Sequence, residues 1–269
     1  MEILGYIGAV LMGLSLGLIG GGGSILTLPI LVYLFSIDTV LATAYSLFIV
    51  GLTALVGSVS HIRMGNIHWR TALVFGIPSI LAVFLTRAYL VKALPDPLFS
   101  LGDTAISKSL GMLIFFALLM VAAAYSMIRT IKTPADVSVR AEPKDFNYPL
   151  ILGEGAVVGT ITGLVGAGGG FLIIPALVLL AKLPMKHAVG TSLIIIAAKS
   201  LIGFTGDLKG NELIDWNFLM IFSAIAIVGI IAGSLLSERI PNEKLKPAFG
   251  WFVLVMGVYI ITRELSAMT

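Results

Sequence analysis

Apolar stretches near membrane-spanning length recur from one end of the chain to the other. The first runs from Ile3 to Ile19 and ends in Gly20-Gly21-Gly22-Gly23. A short run, Ser24 to Phe35, follows, then Val40 to Ser60, which ends in a polar patch with His61, Arg63, Asn66 and His68. Trp69 to Leu85 comes next, then a loop with Pro95, Asp96 and Pro97, then Ser107 to Ile128. Residues 129–147 form the long polar stretch, with Pro134, Pro143 and mixed charge, and read as a linker. The pattern then restarts: Tyr148 to Val165, a second glycine run, a short run Phe171 to Ala181, Ala188 to Gly206, a polar patch from Asp207 to Asp215, Trp216 to Leu236, and Pro247 to Thr262. The expected fold is an all-α polytopic membrane protein. Its first repeat is 1–130, its linker 131–147 and its second repeat 148–269.

The restart is a duplication. A shift of 146 residues aligns Gly13–Leu34 with Gly159–Leu180, and 11 of those 22 positions are identical without a gap. The same shift pairs Ala42 with Ala188, Ser46 with Ser192, Gly57 with Gly203, and His61 with Asp207. Internal symmetry of this kind marks secondary transporter folds.

Whether the repeats are parallel or inverted turns on the glycine runs. If Ile3–Phe35 were one helix it would extend roughly 50 Å, against a hydrocarbon core of about 30 Å. If the glycines mark a reversal, each repeat has about five segments and the repeats are inverted. Loop charges choose between the two. With eight segments, Lys and Arg divide evenly between the sides. With ten, eleven fall on one side (among them Arg63, Arg70, Arg140, Lys144 and Lys186) and five on the other (Arg87, Lys92, Lys108, Lys209 and Arg263), with Lys199 left inside the membrane. The bias favours ten segments, a cytoplasmic linker and both termini outside. The short runs would be only about 17–18 Å long as helices, too short to span. As half-helices entering from opposite sides, their glycine-bearing starts would meet near the midplane. A helix start carries partial positive charge and free amides, so the predicted occupant is a small anion.

Composition narrows the class. Of 269 residues, 58% are hydrophobic and 12% charged, against roughly 25% charged in a soluble domain. The start, Met1-Glu2-Ile3, lacks a positive n-region and a small-residue cleavage signal, so the first run is expected to stay as a membrane segment. There is no cysteine, which removes disulfides and thiol chemistry. The net charge of +3 lies mostly in loops and reads as topology signalling, not as a nucleic-acid surface. The lipid bilayer and a small anion are the expected partners. No cofactor and no metal is expected, and oligomeric state is left open.

The glycine motifs, Gly17-Leu18-Ile19-Gly20-Gly21-Gly22-Gly23-Ser24 with Pro29 and Gly163-Leu164-Val165-Gly166-Ala167-Gly168-Gly169-Gly170 with Pro175, resemble those of the TauE/SafE family. So does Ala188-Val189-Gly190-Thr191-Ser192-Leu193. The duplication, length and central linker match as well. The resemblance implies anion transport across a bacterial inner membrane, with sulfite or a small organosulfonate such as sulfoacetate as leading cargo and export as the direction. One departure is Ala44-Tyr45-Ser46, where the second repeat has Gly190-Thr191-Ser192.

The candidate substrate residues are Gly20, Gly21, Gly22, Gly23, Ser24, Thr27, Ser46, Gly166, Gly168, Gly169, Gly170, Thr191, Ser192 and Lys199. The glycines could instead only allow close helix packing. The hydroxyls could bond back to their own helices. Lys199 lies deep in an apolar run, where a charge costs at least ~2.5 kcal/mol, so it needs a substrate or a partner. Asp207, eight residues on, is the partner to consider. His61, Asp207 and Glu154 are candidate proton carriers, or polar residues at membrane borders. Trp69 and Trp216 read as interfacial anchors. An anion channel is the nearest rival to a carrier using alternating access. An intramembrane enzyme would need a nucleophile–base or metal cluster, and His61, His68 and His187 all lie outside the runs. A dinucleotide-binding reading of Gly166–Gly170 fails on its spacing.

Overall fold

The computed structural model describes residues 2–101, 104–128, 148–179, 181, 183–208, 214–237 and 242–266. The linker 131–147 and the charges Arg129, Lys182, Lys209 and Arg239 lie outside them. Ten helices are described: α1 Glu2–Ile19, α2 Gly22–Leu34, α3 Thr39–Arg63, α4 Trp69–Ala93, α5 Lys108–Ile128, α6 Tyr148–Val165, α7 Gly170–Leu179, α8 Met185–Leu208, α9 Trp216–Ser237 and α10 Asn242–Ser266. Between α4 and α5 a small hairpin pairs Phe99–Leu101 with Thr104–Ile106. Among the described residues, seven helices are long and apolar enough to cross a membrane, and α2 is a shorter apolar helix.

Local chemistry explains the boundaries. Asp38 caps α3: its Oδ1 accepts from the amides of Val40 at 2.9 Å and Leu41 at 3.3 Å. His68 caps α4, its ring nitrogen accepting from the Thr71 amide at 3.2 Å. Inside α2, Pro29 offers no N–H. The helix is accordingly irregular there, 3-10 over Gly22–Leu26 and π over Ile30–Leu34.

The glycine run turns the chain back on itself. Gly23 sits against the backbone of Met12 and Leu16, Ile30 against Gly8, and Phe35 against Gly5, so α2 retraces α1 in the opposite direction. This is the reversal expected from segment length.

Close helix contacts are made at small residues, as in other membrane bundles. On α1, Gly13 and Gly17 lie against α9 at Ala226 and Ile230, and the two helices run parallel. On α6, Gly155 and Gly159 lie against α4 at Phe75 and Ser79, again parallel. Helices α3 and α8 run antiparallel: Leu47 lies near Gly203, Gly51 near Leu201, and Gly57 near Leu193. Around these contacts the polarity is inside-out relative to a water-soluble protein. Leu73, Ile77, Leu81 and Leu85 form an exposed stripe along α4, while Thr43, Thr53, Arg87 and Lys199 are fully buried. Trp69 and Trp216 are exposed in the first turns of α4 and α9.

Candidate functional site

The two glycine runs abut. A Cβ placed on Gly21 would lie 2.4 Å from the carbonyl of Gly170, and one on Gly170 would lie 2.3 Å from the Gly21 Cα. Real Cβ atoms do not approach backbone so closely, so both positions need glycine for contact alone. The second run also needs it for conformation. Gly166, Gly168 and Gly169 have φ of 71°, 63° and 67°, in the left-handed region. Such a turn just ahead of a helix directs successive amides into one concavity. Gly20, with φ of 84°, makes the corresponding bend in the first run.

Lys199 comes in from α8 to this place. Its Nζ would lie 2.8 Å from a Cβ on Gly169 and donates to Thr162 Oγ1 at 2.9 Å. The ammonium is fully buried. An ammonium has three N–H donors, and one is spent on Thr162. Thr162 in turn donates to its own helix, to Gly159 O at 3.2 Å. Ser24 flanks the same point, its Cβ 3.5 Å from a Cβ on Gly168.

The other candidate hydroxyls divide. Ser24 donates to Gly21 O and Ser192 to Val189 O, both at 2.8 Å, so each bonds back to its own segment. Thr191 Oγ1 accepts from the His68 amide at 2.9 Å, tying α8 to the start of α4. Thr27 and Ser46 are fully buried, and their hydroxyls have no hydrogen-bond partner among the described residues. A buried hydroxyl without a partner costs roughly 1–3 kcal/mol. Among the candidate hydroxyls, those two are the ones left to gain a bond.

The three coupling candidates do not gather at the glycines. Glu154 is half-buried beside an apolar cleft of about 460 Å3 lined by Pro149, Leu150, Val157 and Ala176. Twelve residues separate it from Gly166, about 18 Å along α6. His61 is buried near Gly190, its Nδ1 without a partner among the described residues. Asp207 is at the far end of α8, where its Oδ2 stands 2.8 Å from Arg87 Nε.

That contact decides one open alternative and corrects one expectation. Asp207 pairs with Arg87 and not with Lys199, because eight residues of helix keep Lys199 about 12 Å away, beside Thr162. Arg87 is not a loop charge: a π-turn over Thr86–Leu90 carries it into the bundle, fully buried. Both of its terminal nitrogens donate to Thr43 Oγ1 at 3.0 Å. Arg87, Thr43 and Thr162 were missing from the sequence-based candidates. The signal for Arg87 was present, since the apolar run continues past it through Ala88-Tyr89-Leu90-Val91.

Helices with apolar exteriors, buried cations and two broken segments meeting at glycines define a multi-pass helical membrane protein. Comparison with known proteins agrees. Residues 6–260 match the sulfite exporter TauE/SafE family, and the chain belongs to that family of membrane transporters. It is 31% identical over 264 residues to a probable membrane transporter protein of Xylella fastidiosa, covering 96% of this chain and 94% of that one. It is 28% identical to a probable membrane transporter protein of Methanocaldococcus jannaschii over 270 residues, 94% of each chain. The probable membrane transporter protein YunE of Bacillus subtilis is 26% identical over 274 residues, 96% of this chain and 98% of its own. No solved structure matches the chain.

Proposed function

We propose that the protein carries a small oxyanion, sulfite or a small organosulfonate such as sulfoacetate, outward across a bacterial inner membrane by alternating access. The observation that carries this reading is the meeting of Gly21 and Gly170 beside the fully buried Lys199. Two helix starts and an ammonium there sum to positive potential in a place without charge compensation from Asp207, and a small anion supplies it. The cargo rests on the family name and on this electrostatics. Sulfite and sulfonates offer several acceptor oxygens on a compact head, which suits backbone amides and the remaining N–H groups of the Lys199 ammonium.

The helix directions support the reading of inverted repeats. Helices α3 and α8, equivalent under the 146-residue shift, run antiparallel. A two-fold axis parallel to the helices would make them parallel, whereas an axis in the membrane plane makes them antiparallel. The parallel contacts α1–α9 and α4–α6 exchange under the same axis. A carrier is favoured over a channel because backbone contact between Gly21 and Gly170 closes the route between the half-helix starts. Transport then requires the halves to rock, with Asp207, His61 or Glu154 as proton carriers if the flux is proton-coupled.

A thermal-shift panel of sulfite, sulfate, thiosulfate, sulfoacetate, acetate and phosphate on purified protein tests the cargo, followed by flux of the best binder into liposomes. Stabilisation by sulfite or sulfoacetate with saturable flux is expected. Selective stabilisation by acetate or phosphate would overturn the cargo. The natural absence of cysteine permits a topology test. A cysteine at Ser138 should be shielded from an impermeant maleimide in intact cells, and one at Thr269 should be labelled. The reverse pattern would overturn the orientation.

A further inference from the structure

Arg87 is the largest fully buried side chain among the described residues, and the proposed substrate site does not use it. It belongs to the first half of the chain, as does Thr43, while Asp207 belongs to the second. The Arg87–Asp207 pair therefore ties the halves together at one end of the bundle, with Lys92 alongside donating to Gly206 O at 3.1 Å. Stability does not account for it. A buried ion pair is often no better than well-packed apolar groups of the same volume. A charge inside a bilayer adds further cost.

The geometry of the pair is also incomplete. The contact joins a single guanidinium nitrogen, Nε, to a single carboxylate oxygen, Oδ2, at 2.8 Å. The two terminal nitrogens converge on one hydroxyl, Thr43 Oγ1. The planar fork of a guanidinium, which matches a two-oxygen face of a carboxylate, sulfite or sulfonate, is thus not used in its bidentate form. Asp207 keeps 10% of its side-chain surface exposed and Arg87 none, so the carboxylate is the more accessible member of the pair. On the inner side, Thr43 packs against Gly166, its Cβ 2.3 Å from where a Gly166 Cβ would be. Arg87 is thereby one side chain away from the second glycine run.

The duplication adds a separate observation. Under the 146-residue shift Arg87 corresponds to Gly233, Thr43 to Val189 and Asp207 to His61. Gly233 lies against the backbone of Leu14, where a Cβ would come within 2.2 Å of the Leu14 carbonyl oxygen. The equivalent cation is sterically excluded in the other half. Among the described residues, one end of the bundle has this device.

We propose that Arg87 is a second anion-binding residue on the transport route, its guanidinium held by Asp207 in this conformation and by the transported oxyanion in another. The anion displaces the carboxylate, the tie between the halves opens at this end, and the anion passes by way of Thr43 and Gly166 toward Lys199. This inference rests on the anion reading above and adds an entry or exit site to it.

The test is binding of sulfite and of sulfoacetate to the purified full chain, measured by calorimetry for wild type, Asp207→Asn, the double variant Arg87→Gln with Asp207→Asn, and Lys199→Met. If the carboxylate holds Arg87 nine-tenths of the time, Asp207→Asn should tighten binding about tenfold. The double variant, which removes both charges and leaves no buried ion alone, should bind more weakly than wild type. Tighter binding in Asp207→Asn that the double variant reverses supports the proposal. Unchanged affinity in Asp207→Asn, or a double variant that binds like wild type, makes the pair structural and overturns it. Should Asp207→Asn fail to fold, wild-type affinity in the double variant overturns it alone. Loss of binding in Lys199→Met with no effect of Asp207→Asn leaves the glycine site standing and removes Arg87 from the route. Absence of binding in folded wild type and in Asp207→Asn removes both.

Discussion

Replacing Gly21 by alanine tests the contact on which the functional reading depends. Gly21 has φ of −132° and ψ of −17°, which alanine can adopt, so the backbone itself resists little. The obstacle is the added methyl. It would lie 2.4 Å from the Gly170 carbonyl carbon and oxygen and 2.6 Å from its Cα, all backbone atoms that cannot rotate away. An approach of at least 3.4 Å is ordinary for such a carbon, so the half-helix starts must separate by about 1 Å. Overpacking of this kind costs about 1–3 kcal/mol. Gly169→Ala adds a second penalty. Its φ of 67° disfavours any side chain by roughly 1–2 kcal/mol, and its methyl would meet Thr162 and displace the Lys199 ammonium. Gly153→Ala is the control: it lies in α6 with nothing within 4 Å, and helix propensity makes it neutral or stabilising by up to ~1 kcal/mol. Detergent-solubilised thermal unfolding should therefore rank Gly153→Ala at or above wild type, Gly21→Ala below it, and Gly169→Ala lowest. Flux in liposomes should be lost in Gly169→Ala, reduced in Gly21→Ala and retained in Gly153→Ala. A Gly21→Ala variant that melts and transports as wild type would refute the backbone contact between the half-helices, and with it the shared site.

Lys199→Met should cut anion affinity by about 10–100-fold, the weight of a charged hydrogen bond, as read by calorimetry. It should not lower the melting temperature, because Thr162 keeps its bond to Gly159 O; intact affinity with lowered stability would make Lys199 structural. Gly22→Val and Gly168→Val should abolish flux while membrane insertion, followed by fractionation, is preserved. Asp38→Ala should destabilise by about 1 kcal/mol through loss of the α3 cap and of the bond from Ser109 Oγ, with anion affinity unchanged.

The reversal at the first glycine run was readable in the sequence because length is a hard constraint: a 33-residue helix does not fit a bilayer. The meeting of the half-helices was readable for a related reason, since on the inverted reading two segments too short to span must end somewhere inside. Hydroxyl roles were not readable. Ser24 and Ser192 satisfy themselves within three residues, while Thr27 and Ser46 do not, and nothing in the composition of the segments separates the two pairs. The partner of Asp207 was not readable, because spacing along one helix offers only Lys199 and the contact with Arg87 is made between helices. Arg87 reads as a loop charge if the apolar run is closed at Leu85, yet the helix continues to Ala93. A π-turn changes which way a residue points, and apolar periodicity does not announce where one falls.

The doubled scaffold and the single set of charges divide the work between them. Glycine starts, bends at Gly20 and Gly166, and packing of those bends on Val189 and Thr43 occur once in each half at equivalent positions. The buried cations do not. Lys199 corresponds to Thr53, its partner Thr162 to Leu16, and Arg87 to Gly233. On the reading proposed above, halves alike in packing give two end states close in energy, which a rocking carrier needs if neither is to be a trap. A tie such as Arg87–Asp207, present at one end among the described residues, makes the two states unequal by whatever it contributes. An anion that competes for Arg87 removes that inequality only while it is bound at that end. Symmetry in the backbone then supplies the motion, and asymmetry in the charges supplies the coupling of that motion to cargo. Asp207→Asn separates the two roles: it should alter the balance between end states, visible as altered accessibility of single cysteines placed at either end of α8, without changing the packing at Gly21 and Gly170. Equal accessibility in wild type and variant would leave the charges without a part in the motion.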